Sequence, residues 1–393
     1  MNRGFDFDHE INRTTTHSVK YDGRQAMFGN NEVIPAWVAD MDFAAPPAVT
    51  QALIARARHP IYGYTLFPDS LYDALIHWMQ WRHGWSIQRD WIIPCPGVVP
   101  SINAAILAFT QPGESVIIQP PVYFPFFSVV TQTGRMLIPN PLVLRNGRYI
   151  IDFDHLEDCA RKAKLLLLCS PHNPVGRVWQ PGELEQLLHI AGKHNLIIFS
   201  DEIHADLVYP GNQHTVLATI AESNAKIITA AAPSKTFNIP GLNLSALIIP
   251  DASIRSAITQ TFNNFHVSAS NPFSIAAFEA AYREGEEWLE ALLVYLRDTR
   301  DCVTAFLTGQ LPEIKVIKAE GTYLLWLDCR AMNMTDAQLK HFFIHAVGVG
   351  MNPGIQFGKE GSGFMRLNIG APRKTILSVM QRIKHAWHTE ERL

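Results

Sequence analysis

Between Trp91 and Ile249 the chain repeatedly sets a short apolar run against a longer segment of helical periodicity. That alternation limits the fold more than any other feature. Strands separated by helical crossovers run parallel, and parallel sheets are buried on both faces. The runs are Ile92 to Cys95, Val116 to Gln119, Lys164 to Ser170, Leu196 to Ser200, Ile227 to Ala231 and Leu244 to Ile249. Leu165-Leu-Leu-Leu-Cys169 has no polar alternation, so it is expected at the centre, covered on both sides. Pro181 to Asn195 and Ser101 to Ala108 read as amphipathic helices between strands. The expected fold is α/β, with a mostly parallel central sheet covered by helices.

After about Arg283 the texture changes. A long helical stretch, Glu286 to Thr308, leads into an alternating region, Ile314 to Asp328, then a helix at Asp336 to Ala346, a short strand and a terminal helix from about Lys374. We expect a large domain over 46–284, and a smaller α+β domain from 285–393 joined by the N-terminal segment 1–45, which is too short to fold alone. The 33 basic and 36 acidic residues give a formal charge of -3, which offers no electrostatic footprint for nucleic acid or an anionic membrane. No stretch supplies the roughly 18 apolar positions of a membrane span, and Asp6, Asp8 and Glu10 interrupt any signal-like start, so a cytoplasmic protein is expected. Cys95, Cys159, Cys169, Cys302 and Cys329 are odd in number, lack C-x-x-C spacing and are expected as buried free thiols. His341 and His345 lie four apart on a predicted helix without a third ligand, so no metal site is expected there.

In open α/β sheets, ligands gather at the carboxyl ends of strands, and unusual loops follow the runs here. Lys235 stands in Ala232-Pro-Ser-Lys-Thr-Phe-Asn-Ile-Pro-Gly241, just past one run, and Asp201 ends another in Phe199-Ser-Asp-Glu-Ile-His204. An amine on a fixed loop can condense with an aldehyde, and a buried carboxylate can keep a pyridine nitrogen protonated. At about 4 Å and an effective dielectric near 20 that attraction is worth about 4 kcal/mol, or roughly three pKa units. The two together are what pyridoxal 5'-phosphate requires, although an Asp at a strand end also serves as a helix cap. Pro94-Cys-Pro-Gly-Val-Val-Pro-Ser101 places Gly97 before a helix whose Val98, Val99 and Ser101 groups can receive a phosphate, and equally reads as a plain turn. Tyr123, in Gln119-Pro-Pro-Val-Tyr-Phe-Pro-Phe126, is placed to stack on a planar ring or to join an aromatic core. Asn173, in Ser170-Pro-His-Asn-Pro-Val-Gly176, lies between two prolines that hold it for a ring hydroxyl, or it simply forms the turn.

Taken together, S-P-H-N-P-V-G, S-D-E-I-H and S-K-T-F-N-I-P-G resemble the cofactor motifs of fold-type I pyridoxal-phosphate enzymes, and the resemblance runs over essentially the whole chain. It implies that Asn173 meets the ring hydroxyl, Asp201 the ring nitrogen and Lys235 the aldehyde. It also implies that Ser234 and the Gly97 turn hold the phosphate, and that Tyr123 lies over the ring. Ala36-Trp-Val-Ala-Asp-Met-Asp-Phe43, Ile61-Tyr-Gly-Tyr64 and Gly363-Phe-Met-Arg-Leu-Asn-Ile-Gly370 are similar to the MalY/PatB-like cystathionine β-lyases and cystalysin-type carbon–sulfur lyases. That branch implies a homodimer in which Tyr64 reaches the neighbouring subunit's phosphate, Arg366 clamps the substrate carboxylate, and Trp37 and Tyr64 border the substrate.

Two positions depart from related aminotransferases. Many carry a phosphate-binding arginine eight residues after the lysine, where this chain has Asn243. Many also have a tyrosine where this chain has His204, which we group with the cofactor-binding residues. Both departures favour the lyase branch. The expected reaction is α,β-elimination from a sulfur amino acid, with Lys235, Asp201 and Tyr123 as catalytic residues. The alternatives are an aminotransferase, or a lyase-like protein with an added protein-binding regulatory role.

Overall fold

The computed structural model describes residues 4–390. Its main sheet has seven strands: β1 (Ile92–Cys95), β2 (Ser115–Ile118), β3 (Met136–Pro139), β4 (Ala163–Cys169), β5 (Ile197–Asp201), β6 (Ile227–Ala231) and β7 (Ser245–Ile248). Their spatial order is β1-β7-β6-β5-β4-β2-β3. All pairings are parallel except those of β7, which runs antiparallel to both β6 and β1. Six of these strands match the expected apolar runs to within a residue or two. The edge strand β3 was not expected although Met136-Leu-Ile-Pro139 is apolar throughout: it is short, ends in proline and is half-exposed.

β4 lies inside the sheet, and successive side chains point to opposite faces, as strand geometry requires. Leu165 and Leu167 enter one core with Ile102 and Ile106 of α1 (Val98–Phe109), while Leu166 and Leu168 enter another with Leu184 and Leu187 of α2 (Pro181–Lys193). α3 (Ala252–Asn264) adds Ile254, Ile258 and Phe262 to the first layer. Burial on both faces explains why the run is leucine-only, and it holds the strand ends in fixed register.

A second, four-stranded antiparallel sheet has the order β8-β9-β11-β10, where β8 is Lys315–Val316, β9 Leu324–Asp328, β10 Asn352–Pro353 and β11 Phe364–Asn368. α4 (Glu286–Gln310) and α5 (Arg373–Glu390) pack on it through Leu292, Leu296, Ile376, Val379 and Ile383. The helix expected over Asp336 to Ala346 is α-helical only over Asp336–His341 and continues as a wider turn over Phe342–Val347. The segment before residue 46 packs on this side, with Ile34–Pro35 pairing in parallel with Val349–Gly350. Four of the five free cysteines are buried, but Cys302 is exposed on the outer face of α4, contrary to expectation. No helix among the described residues is long and apolar enough to cross a membrane.

Candidate active site

Register brings the loops together. Cys169 of β4 pairs with Asp201 of β5, and Asp201 with Ala230 of β6, so three strands end side by side. Asn173 follows the first end by four residues, Asp201 is itself the second, and Lys235 follows Ala230 by five. Because β7 runs the other way, its beginning reaches the same edge. There Ser245 pairs with Cys95 at the end of β1, two residues before Gly97. Together these loops enclose a cavity of about 450 Å3, bordered by Gly97, Val98, Val99, Tyr123, Asn173, Asp201, His204, Ser234 and Lys235, with Ala39 and Asn243.

Lys235 sits on the short helix Pro233–Thr236, and its Nζ donates to the Ala39 carbonyl at 2.6 Å. Burial pushes its amine down from 10.5 to about 8, against the opposing pull of Asp40. Asp201 is buried, and its carboxylate's only hydrogen bond among the described residues comes from the Ile203 N–H at 3.2 Å. Desolvation pushes its acid up to about 7. A buried carboxyl in this state is short of a cation. His204 is buried with Nδ1 lacking a partner among the described residues, and burial pushes its imidazole down to about 3, so the ring is neutral at working pH. Tyr123 has its phenol raised by burial and packs against Phe124 and Phe126.

The start of α1 is an anion site in outline. Gly97 caps it at φ 142°, in a region closed to other residues, and no side chain bonds the helix's first N–H groups. Ser101 does not face outward as expected: its hydroxyl donates to the Gly97 carbonyl at 2.8 Å and braces the turn.

Arg366, on β11, lies behind Asn173 and does not border the cavity directly. Its Nη1 donates to Asn173 Oδ1 at 3.1 Å, and its Nη2 to Asn352 Oδ1 and the Trp37 carbonyl, both at 2.7 Å. All three acceptors are neutral, Nε has no partner among the described residues, and the residue is 2% exposed. Burial lowers it to about 10. Among the described residues this buried cation has no anion. Trp37 touches the site through its carbonyl alone, since its indole donates to the Lys20 carbonyl at 3.0 Å and packs on Phe28. Tyr64 is fully exposed on a neighbouring groove and borders no part of this cavity. His341 and His345 are exposed on the surface, with ring centroids 4.5 Å apart.

Several site residues were not singled out from the sequence, although Asn238 and Asn368 lie inside motifs quoted above. Tyr323 donates to the same Ala39 carbonyl at 2.9 Å. Asn368 donates to the Val38 and Asp40 carbonyls at 2.6 and 2.7 Å. Asn238 accepts from Met41 N–H and donates to the Met41 and Phe43 carbonyls. These contacts clamp the strap 37–43 over the lysine. They join residues some 200 to 330 positions apart, which local spacing does not record.

The donor set suits pyridoxal 5'-phosphate: an amine and a cation-short acid open onto one cavity, beside an uncapped helix start that can take the phosphate. A sheet of this topology with such a site defines a pyridoxal-phosphate enzyme of fold type I. The chain belongs to the aminotransferase class I and II family, whose profile matches residues 37–383. It is 42% identical to the cystathionine β-lyase PatB of Bacillus subtilis over 97% of this chain and 99% of that one. It is 32% identical to protein MalY of Escherichia coli, over 95% and 96%. The crystal structure of cystalysin from Treponema denticola, which contains a pyridoxal 5'-phosphate cofactor, superposes with a TM-score of 0.95 at 39% identity, covering 98% of this chain and 99% of that one.

Proposed function

We propose that this protein is a pyridoxal-phosphate-dependent carbon–sulfur β-lyase that cleaves L-cystathionine or a related sulfur amino acid by α,β-elimination to a thiol, pyruvate and ammonia. The observation that carries this reading is the delivery of Lys235 and Asp201 into one cavity, in a chain 42% identical to a cystathionine β-lyase over nearly its full length. When bound, the cofactor supplies an aldehyde for the substrate amine and a protonated ring that accepts the electron pair left at the α-carbon.

The chain's own residues do the rest. Asp201 would keep the ring nitrogen charged, a pairing that would relieve its own desolvation. Asn173 has its Oδ1 committed to Arg366, which leaves the Nδ2 hydrogens for the ring hydroxyl. Tyr123 and His204, which border the cavity, would pack against the ring. Val98 and Val99 N–H groups, the Gly97 turn and Ser234 would hold the phosphate. Lys235, with its amine near 8, takes the α-proton as general base, and the Ala39 carbonyl receives the resulting ammonium. Arg366 and Asn173 bind the substrate carboxylate, and Trp37 belongs to that end through the carbonyl that steadies the guanidinium.

Transamination uses the same residues up to removal of the α-proton, so product analysis decides between them. With cystathionine, we expect pyruvate and free thiol in equal amounts, beside little keto-acid-dependent transamination. Amino transfer without thiol release would overturn the lyase assignment. A regulatory role is tested by pull-down with Lys235→Ala: a partner retained by that inactive variant would add a function independent of turnover.

The proposal includes a homodimer with shared sites. Ile61, Tyr62, Tyr64 and Leu66 are 68%, 57%, 109% and 89% exposed, an apolar run that a lone chain leaves in water. A second copy would cover it and bring Tyr64 to the partner's phosphate, supplying part of what Asn243 in place of arginine does not. Within each subunit we assign 46–284 to cofactor binding, and 1–45 with 285–393 to the smaller domain. Five free thiols accord with a cytoplasmic setting.

A further inference from the structure

Between the two sheets lies a buried ionic cluster that touches neither cofactor nor substrate. Glu320 is 3% exposed and precedes β9. Its Oε2 accepts from Arg177 Nε at 3.0 Å and from the Val178 N–H at 2.9 Å, while Arg148 Nε lies 3.1 Å from Oε1. Arg177 has no exposed surface. It also pairs with Glu183 at 2.6 Å, donates to the Tyr149 carbonyl and stacks over Trp179.

The backbone around Glu320 is bound as closely. Glu320 and Gly321 N–H groups donate to the Gly176 carbonyl at 2.8 and 3.2 Å, and Thr322 N–H donates to Leu207. A Cβ at Gly176, which has φ 69°, would stand 3.1 Å from Ala319 Cα. One at Gly321 would stand 2.7 Å from the Leu207 carbonyl. The seam has no slack for a side chain at either position.

These contacts close a circuit. Asn173 lies four residues before Arg177, which grips Glu320. Six residues after Glu320, Trp326 is the register partner of Arg366 on β11, and Arg366 returns to Asn173 at 3.1 Å. We infer that Glu320 is a positioning residue for the substrate carboxylate: by locking the Asn173 loop to the strand beside Arg366, it sets the spacing of the pair that receives that carboxylate. The inference rests on the reading of Arg366 proposed above. Asn173 is the one member of the circuit assigned to the ring, through its hydroxyl, and none reaches the lysine, so the effect should fall chiefly on ligands that carry a carboxylate.

The test is a titration of the holoenzyme, following the cofactor's absorption band, with glycine and with methylamine, which differ by the carboxylate alone. Glu320→Gln is expected to weaken glycine by about tenfold to a hundredfold, leave methylamine within about twofold, and be partly rescued by Glu320→Asp. If Glu320→Gln does not yield folded holoenzyme, Arg148→Met, at a partly exposed partner, should show the same selectivity at smaller amplitude. Equal loss for both ligands, or no loss for either, overturns the positioning role. A wild-type protein that binds glycine no better than methylamine overturns the reading of Arg366 itself.

Discussion

Asp201 and Lys235 perturb each other's environment less than burial perturbs both, and this gives the cofactor-free protein a distinctive pH response. The acid is raised from 3.8 to about 7, so between those values the folded chain holds a proton that the unfolded chain has released. Stability is therefore lost as pH rises through that window, by on the order of a few kcal/mol. Lys235 is lowered from 10.5 to about 8 and acts with the opposite sign, only above pH 8. Thermal unfolding of the apoprotein should show the wild type losing ground to Asp201→Asn between pH 4 and 7, with the variant the more stable at neutrality. Saturating cofactor should reverse that order, because only the carboxylate can pair with the ring cation. Parallel curves for the two proteins would mean that Asp201 is not desolvated as described. At this scale the sequence was legible wherever chemistry depends on a residue type at a strand end, as with Lys235, Asp201 and Asn173. It was silent on Tyr323 and Glu320, whose partners are set by tertiary approach.

The strap 37–43 is an element held from two sides, by Asn368 on β11 and by Asn238 just after the lysine helix. Asn368 is 1% exposed and serves two carbonyls and the Gly370 N–H. Asn368→Ala strands all three, and roughly 2–5 kcal/mol of stability should be lost, read from the denaturant midpoint at unchanged slope. A cost below about 0.5 kcal/mol would show that water replaces the amide and that the strap is not clamped. Element recognition followed burial. β4 and β6 were legible because both faces are covered and the residues are uniformly apolar. β3 is apolar throughout but short, proline-ended and half-exposed with one strand neighbour, and the Val143–Arg145/Arg148–Ile150 hairpin is broken by its arginines, so neither stood out. The direction of β7 was not legible either, since an apolar run carries no sign.

For the whole molecule, the exposed Ile61–Leu66 run and the Tyr64 assignment make one joint prediction. Tyr64→Phe should raise the cofactor dissociation constant if the proposed homodimer shares its sites. Mixing it with Lys235→Ala should restore wild-type retention and turnover at one site of each hybrid, because one site then receives both intact residues. A mixture that behaves as the sum of its parents would place Tyr64 within its own subunit or outside the site. The two-sheet architecture could be read from the change of texture near Arg283. Their mutual placement could not, because it depends on seams such as Gly176 against Ala319 that no periodicity reports.

The oxygen that receives both Lys235 and Tyr323 belongs to the main chain of Ala39. Exchanging the side chain at that position changes volume but leaves the acceptor in place, so a mutational scan there is blind to it. Only backbone chemistry, such as an ester in place of the amide that follows Ala39, would weaken the landing point itself. The Lys235 amine thus rests on a contact that ordinary genetic variation at position 39 cannot erase.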